Sequence, residues 1–304
     1  HIRQYPLEHL SPDAAVALLR YRGVNGLEED LAKAAKRYNY HALALVLLSE
    51  YLHTFHQGRV ENALGIEIIG EKVGAGRHAM SVMRAYDVAL QKAKEPLDRE
   101  MVRLLGLFDR PAEREALDAL RKAEPIPGLT EVFKEATEEQ INESLARLRQ
   151  WGLLNPGGRE AALDAHPLVR EWFGAAYQKE APDHFQQAHR VLFHYYQQVP
   201  EKEQPDTQEE MEPLYRAVRH GCLAGEYQDA LDSVYWARIR RGDAAYSLKV
   251  LGAHASDLSA LAGFFPQGFA NKPAAGLTPA AQNWVVANAA FLLMSLGRMQ
   301  EAAE

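Results

Sequence analysis

Two histidines three residues apart are the side chains whose type and spacing most directly suggest chemistry. His53 and His56 lie on a predicted helix, and two histidines on one helical face can bind zinc. The sequence places no cysteine or obvious third ligand beside them, so a solvated helix end is the better interpretation. Cys222, the only cysteine, falls in an apolar helical segment. We interpret it as a small buried thiol rather than a nucleophile.

Motifs for hydrolysing nucleotides or esters are missing from the sequence. It contains neither a G-x-x-x-x-G-K-[ST] phosphate loop nor a Gly-x-Ser-x-Gly elbow. Without the lysine of that loop, its backbone N–H groups and the magnesium ligands, phosphoryl transfer has no machinery. We therefore expect that this chain is not itself an enzyme and holds no cofactor of its own when isolated.

The composition is that of an ordinary globular protein with an acidic surface. The chain has 304 residues, 47% of them hydrophobic, and a formal net charge of -7. This charge opposes binding to nucleic acid and to anionic membranes. No apolar run approaches the roughly 20 residues that a membrane-spanning helix needs, and no secretory signal is visible. A single cysteine excludes an intramolecular disulfide and favours a cytoplasmic protein.

The elements that must position the candidate residues fall into three segments. The first, residues 1–94, predicts a small helical bundle. Its clearest start is Ser11–Asp13, which combines an N-cap hydroxyl, a proline in the first turn and an acid near the positive end of the helix dipole. Tyr40–Leu48 reads as a buried helix. A later helix over 78–94 has an apolar inner face formed by Met80, Val82, Met83, Tyr86 and Leu90.

The second segment, residues 95–180, predicts a winged helix-turn-helix domain. Two amphipathic helices lead to a third, which opens with the capping box of Thr137 and Gln140 and ends at Gly152. Leu153–Leu163 then reads as a short β-hairpin around an Asn-Pro-Gly-Gly turn. Three helices followed by a small hairpin is the order of a winged helix.

The third segment, residues 181–304, predicts paired helices of the tetratricopeptide type. Val218–Leu231 and Ala290–Ala303 share a pattern in which an apolar helix leads to a turn glycine, a large residue, an acid and an alanine. Small side chains at such a crossing let two helices approach closely. The predicted fold class is therefore mostly α: a helical bundle, a winged helix with a small β-hairpin, then α-helical hairpin repeats.

Three stretches resemble motifs of the STAND class of signalling ATPases, in the part of the NB-ARC module that follows the nucleotide-binding domain. Leu7–Ala15 looks like the start of the family's first helical domain. Tyr40–Leu45, which reads Tyr-His-Ala-Leu-Ala-Leu, resembles the family's Gly-Leu-Pro-Leu-Ala-Leu motif. Leu163–Glu171, which contains Ala-His-Pro, resembles the Met-His-Asp motif that closes the winged helix. The resemblance covers nearly the whole chain, and the order of the three stretches carries it.

The resemblance implies a nucleotide contact at three residues of this chain. His166 matches the histidine that binds the β-phosphate of ADP in the family and holds the protein off, although Pro167 stands where the family has an acid. Ala42 replaces the proline that lies against the adenine ring, and His41 precedes it at the edge of the nucleotide. An imidazole N–H can donate to a diphosphate oxygen. The alternative for His166 is a histidine that caps the helix after it, and for His41 a histidine satisfied within a core helix.

The same resemblance implies the partners of the chain. ADP or ATP would be held by a nucleotide-binding domain preceding His1 in a longer protein, since both ends of the sequence fall within patterned segments. The repeats would bind a protein trigger, and the parent would oligomerise on activation. The chain would then be the regulatory and sensor portion of an ATP-dependent switch, with no membrane partner.

Two other functions remain open. A winged-helix transcription regulator would read DNA with the helix predicted over 138–151, but three glutamates in that helix stand against Arg147 and Arg149. That charge is wrong for a helix lying among phosphates. A plain repeat scaffold without a switch predicts that His166→Ala in the parent leaves resting activity unchanged.

Other polar groups in the third segment suggest no site by their spacing. His184, His189 and His194 recur every five residues, which drifts around a helix, so we interpret them as incidental. Arg238–Arg241 forms a short basic cluster that could meet an acidic partner. It is more typical of the solvated C-terminal end of a helix, where the dipole favours cations.

Overall fold

The protein is described by a computed structural model that covers residues 9–68, 77–93, 95–156 and 162–303. It is mostly α-helical, which confirms the predicted class. Its contacts divide the chain into two compact units. Unit 1 comprises His1–Arg114 and Pro127–Glu180, and unit 2 comprises Glu115–Ile126 and Ala181–Glu304. The sequence predicts three domains, with the first two separated at residues 94 and 95, whereas both of these segments contribute to unit 1.

The helices are bounded as follows in chain order. The α-helices are α1 (Pro12–Tyr21), α2 (Glu28–Arg37), α3 (Ala42–His56), α4 (Arg77–Lys92), α5 (Pro96–Leu105), α6 (Arg114–Lys122), α7 (Glu138–Gln150), α8 (Pro167–Glu180), α9 (Pro182–Gln198), α10 (Gln208–Leu223), α11 (Tyr227–Asp229), α12 (Tyr246–Lys249), α13 (His254–Ala262), α14 (Pro279–Ser295) and α15 (Met299–Ala303). A π-helix continues α11 over Ala230–Arg240. Short 3-10 turns occupy Val60–Gly65, Glu131–Lys134 and Gly242–Ala244.

Local signals in the sequence account for several helix starts and inner faces. Ser11 Oγ accepts the N–H of Ala14 at 3.2 Å, so the predicted start of α1 is confirmed. Thr137 and Gln140 form the predicted reciprocal capping box at the start of α7. The apolar face predicted for α4 is confirmed as buried, with Met80, Val82, Met83, Tyr86 and Leu90 all in the core.

Two glycines fix the crossing of α5 and α8 in unit 1. A Cβ on Gly106, just after α5, would lie 2.4 Å from the backbone nitrogen of Gly174 in α8. A Cβ on Gly174 would in turn lie 2.3 Å from the carbonyl oxygen of Gly106. Neither contact can be relieved by moving a side chain, because both partners are backbone atoms. The helices therefore approach at a distance that only glycine permits.

The predicted β-hairpin at Leu153–Leu163 is not confirmed in the part that the structure describes. Its turn falls partly on residues 157–161, which lie outside the described residues. The N–H groups of Leu153 and Leu154 both donate to the carbonyl of Leu148, at 3.0 and 3.2 Å. These donors therefore cap α7 and are not available to a β-ladder. Leu163 instead pairs with Ala112 in an isolated antiparallel bridge.

In unit 2, α9 and α10 pack together as a helical hairpin, and the chain turns at a glycine after α10. Gly225 has a φ of 80° and Gly297 a φ of 76°, so the turn glycines of the shared pattern both adopt the left-handed conformation. A Cβ on Gly221 in α10 would lie 2.8 Å from Cβ of Ala230. The close approach predicted for small residues at this crossing is therefore present in the first stretch.

Three further predictions concern Cys222, the first motif and membrane-spanning helices. Cys222 is buried, as predicted, and burial raises its thiol pKa. Leu7 and Glu8 of the first motif lie outside the described residues. Among the helices that the structure describes, none combines the length and the apolar character needed to cross a membrane.

Candidate functional site

His41 lies immediately before α3 and caps it. Its Nδ1 accepts the backbone N–H of Ala44 at 3.3 Å, in the position usually taken by a serine, threonine or asparagine oxygen. An Nδ1 that accepts carries no proton, so the proton of the neutral ring lies on Nε2. The half-buried ring can therefore donate one N–H away from the helix. One interpretation of the sequence places His41 within a core helix. The structure places it instead at the N-cap position, immediately before α3.

The backbone before His41 is held in an uncommon conformation. Asn39 and Tyr40 both have positive φ values, 51° and 55°. Left-handed backbone is disfavoured for residues with a Cβ and clusters at sites where surrounding contacts hold it in place. Here Leu10 N–H donates to the carbonyl of Tyr40 at 2.9 Å, and the rings of His9 and His41 are 6.4 Å apart. The structure thus brings the first two sequence motifs together.

Ala42 is the first residue of α3 and is half-buried. Its methyl group adds a small apolar surface beside the cap formed by His41. It cannot supply the rigid ring that proline would place there. Ala42 therefore contributes an apolar contact and little else to any ligand beside α3.

His166 repeats this arrangement at the start of α8. Its Nδ1 accepts the backbone N–H of Leu168 at 3.2 Å, and its carbonyl accepts the N–H of Val169 at 2.8 Å. Burial lowers the pKa of His166, and the positive charge of Arg170 lowers it further. The ring is consequently neutral near pH 7 with its proton on Nε2. Capping by His166 was one of the two sequence interpretations, and the geometry leaves Nε2–H available for the other.

Arg170 fixes the loop that presents His166. Its guanidinium is buried and donates to the carbonyl of Ala165 at 2.7 Å and to that of Asp109 at 3.2 Å. It also forms an ion pair with Asp164. Arg170 lies within the third motif, Leu163–Glu171, but its position there does not indicate this role. A buried arginine that satisfies two carbonyls holds the loop more firmly than an exposed ion pair would.

The structure shows no direct contact between the candidate residues of the second and third motifs. Among the described residues, no hydrogen bond or ring contact joins His41 to His166, although both belong to unit 1. Each presents an imidazole whose Nδ1 accepts a backbone N–H at a helix N-terminus, where the dipole favours an anion. What the two share is a donor geometry rather than a common pocket.

The histidine pair at the end of α3 does not form a metal site in the described structure. His56 Nε2 lies 3.3 Å from the hydroxyl of Tyr51, and His53 is exposed. No group of three His, Cys, Asp or Glu side chains with metal-binding geometry occurs within the described residues.

Unit 2 contains two buried polar clusters that the sequence did not reveal. Nδ1 of His189 and Nδ1 of His220 are 2.8 Å apart, so the interpretation of His189 as incidental is wrong. Asp257 is fully buried and accepts hydrogen bonds from three hydroxyls, those of Tyr215, Tyr235 and Ser247. The partners in each cluster come from different helices, so no spacing along the chain identifies them.

The basic cluster Arg238–Arg241 is not a solvated helix end. Arg238 is buried and donates to the carbonyls of Gln197 and Glu203 at 2.7 and 2.9 Å. Arg241 donates to the carbonyl of Gln204 at 3.0 Å. These arginines hold the loop between α9 and α10 against the end of the π-helix. The expectation failed because the loop presents carbonyl groups that the sequence pattern cannot place.

No protein-family model matches the chain, and a search of curated proteins found no match. The assignment of function therefore depends on the geometry of the candidate residues and on the resemblance of their motifs.

Proposed function

We propose that this chain is the regulatory and sensor portion of a STAND-class, NB-ARC-like signalling switch. In this proposal the segment 1–94 is a helical domain, 95–180 a winged helix and 181–304 a region of tetratricopeptide-like repeats. A nucleotide-binding domain elsewhere in the parent supplies the phosphate loop. The protein is cytoplasmic, and its repeats bind a protein trigger that favours the active, oligomeric state.

The observation that carries the proposal is the state of His166. Its Nδ1 accepts from Leu168 N–H, which leaves a neutral ring with one N–H at Nε2. A neutral donor beside the positive end of α8 suits a diphosphate oxygen. Arg170 keeps the supporting loop in place through Ala165 and Asp109. His41 offers a second donor of the same kind before α3.

Two features of the chain support a winged-helix arrangement in the middle segment. Leu163 pairs with Ala112 in an antiparallel bridge, and Asn155 N–H donates to the carbonyl of Asp164 at 2.8 Å. These bonds place the segment after α7 alongside the segment that precedes α6. A winged helix uses its first strand and its wing in this way, with longer ladders than occur here.

DNA reading is disfavoured by the arginines of α7. Arg147 forms a two-point ion pair with Asp98, at 2.9 and 2.8 Å, and the Asp98 side chain is fully buried. The first turn of α7 carries Glu138 and Glu139 instead. A groove-reading helix would need its cations facing phosphate. Titrating duplex DNA with the chain at low and high salt tests this, and we expect no salt-sensitive binding.

The experiment for the proposed function compares two substitutions of His166 in the protein that carries the nucleotide-binding domain. His166→Asn keeps an N-cap acceptor but removes the reach of Nε2–H, and His166→Ala removes both. We expect both variants to show leaky resting activity and only His166→Ala to be destabilised. Resting activity at the wild-type level in both would contradict the switch and leave a repeat scaffold. Measurable ATP turnover by the purified 304-residue chain would also contradict the proposal.

A further inference from the structure

Arg240 lies in the corner between two tryptophans in unit 2. Its guanidinium carbon is 5.6 Å from the ring centroid of Trp236 and 5.2 Å from that of Trp284. The two indoles are 5.3 Å apart and nearly perpendicular, at 84°. The guanidinium of Arg240 thus packs against both indoles, and all three side chains are half-buried. Such contacts favour a desolvated guanidinium.

Most of the hydrogen-bonding capacity of Arg240 is unused in the described structure. Nε and Nη1 are shielded from solvent and have no hydrogen-bond partner among the described residues. Nη2 is not shielded in this way, and none of the described residues accepts from it. The neighbours Arg238 and Arg241 differ, because each donates to a backbone carbonyl of the loop that follows α9, that of Glu203 and that of Gln204 respectively. Arg240 is the member of the cluster whose head group contacts aromatic rings but donates no hydrogen bond within the described residues.

The buried carboxylate of Asp257 does not accept a hydrogen bond from Arg240 among the bonds of the described residues. Burial raises the pKa of Asp257, and the charge of Arg240 acts on that pKa in the opposite direction, so the two groups interact electrostatically. The two oxygens of Asp257 already accept from Tyr215, Tyr235 and Ser247. The cation is therefore partly balanced in charge but receives no hydrogen bond from this acid.

The backbone around the cluster is also unusual. Trp236 and Arg240 lie on the π-helix, a conformation that is rare and frequent at functional sites. The helix ends at Arg241 with a φ of 59°, and Ala245 follows with a φ of 47°. Strained backbone of this kind is retained where surrounding contacts require it.

We propose that the Arg240–Trp236–Trp284 corner binds a carboxylate of an acidic protein segment, with apolar atoms of the ligand against the indoles. Since Nε and Nη1 are shielded, Nη2 is the donor of Arg240 that a ligand reaches, and a carboxylate tolerates an apolar surround better than a doubly charged phosphate. No second cation of the cluster is free to balance a phosphate, since Arg238 and Arg241 are engaged within the described fold. This site is the surface on which the trigger of the proposed function binds. The inference rests on the proposed function only for the biological role of the peptide binding.

The probe is a fluorescein-labelled peptide, Gly-Leu-Glu-Leu-Glu-Gly-amide, titrated into the full chain and followed by anisotropy. The matched peptide replaces both Glu residues by Gln. We expect saturable binding of the acidic peptide and roughly tenfold weaker binding of the Gln peptide, because a charge-assisted hydrogen bond is lost. Inorganic phosphate should displace the acidic peptide less effectively than acetate at equal concentration and ionic strength.

Three variants locate the binding. Arg240→Gln should weaken the acidic peptide roughly tenfold, and Arg240→Lys, which keeps the charge but loses the packing of the planar guanidinium against the indoles, should fall between. Arg190→Gln is the control, since Arg190 lies in unit 2 and pairs with Glu226 at the surface. Thermal melts confirm that each variant is folded, and Trp284→Phe replaces any variant that is not. The phenylalanine variant should also weaken binding.

The proposal would be overturned by absence of saturable binding, by equal binding of the two peptides, or by full affinity in the Arg240 variants. Stronger displacement by phosphate than by acetate would overturn the carboxylate assignment. These outcomes are independent of the switch, because peptide binding does not involve His166. If the acidic peptide binds while the His166 variants keep wild-type resting activity, the Arg240 site is supported and the proposed function is contradicted.

Discussion

Nδ1 of His189 and Nδ1 of His220 lie 2.8 Å apart between α9 and α10, and both side chains are buried in unit 2. One ring must donate and the other accept, so the pair is stable only while at least one Nδ1 lacks a proton. Burial lowers the pKa of His189 to about 3, with a further contribution from the charge of Arg219. Burial lowers the pKa of His220 as well, and His189, Arg219 and Arg216 add to the effect.

This pair predicts that unit 2 is sensitive to acid. Both histidines have a lower pKa in the folded state than the value of about 6.5 expected when unfolded. Their neutral pairing therefore stabilises the fold above that pH, and the stability falls as the pH drops through it, because the unfolded state then binds more protons. We expect a loss of about 2 kcal/mol between pH 7 and pH 5.5. Denaturant melts at several pH values measure it.

The control for the acid effect is the exposed His194 on the same helix. His194→Gln should leave the pH dependence unchanged, whereas the double substitution His189→Leu with His220→Leu should flatten it. An equally steep pH dependence in the double variant would show that other groups are responsible.

The crossing of α5 and α8 predicts a second stability effect. Gly106→Ala places a methyl group 2.4 Å from the backbone nitrogen of Gly174, and no side-chain movement relieves that contact. We expect a loss of about 3 kcal/mol in the free energy of unfolding. Gly65→Ala is the matched control, because a Cβ there meets nothing within 4 Å. Equal stability of the two variants would contradict the packing described for α5 and α8.

Asp257 predicts a graded effect in unit 2. Asp257→Ala leaves three buried hydroxyls without their acceptor and should cost about 3 kcal/mol. Asp257→Asn keeps one oxygen and the side-chain volume, so it should cost less. Asp243→Ala changes an exposed acid in the same unit and should be nearly neutral. Thermal unfolding of the three variants checks this order, and an Asn variant as unstable as the Ala variant would contradict it.

Local features of the fold were predictable because their causes lie within a few residues. The Ser11 cap, the capping box of Thr137 and Gln140 and the inner face of α4 each depend on contacts within one helix. Propensity, capping and periodicity act over that range. The class of the fold follows from these elements.

Features that depend on distant partners were not predictable. The hairpin predicted after Gly152 is not confirmed among the described residues, where Leu153 and Leu154 donate back to Leu148, a pairing that turn propensity does not encode. His189 meets His220 across two helices, 31 positions along the chain, so no motif spacing marks the pair. The sequence indicated the residues of the candidate site. The structure added their tautomer, because Nδ1 of His41 and Nδ1 of His166 each accept a backbone N–H.

The dissociation rate of ADP from the protein that carries the nucleotide-binding domain tests the central claim most directly. Replacing His166 with asparagine preserves an acceptor for Leu168 N–H while removing the outward donor. Loss of one hydrogen bond to a charged oxygen should accelerate ADP release roughly tenfold, with the melting temperature unchanged. Release at the wild-type rate from a fully folded asparagine variant would show that His166 only caps α8.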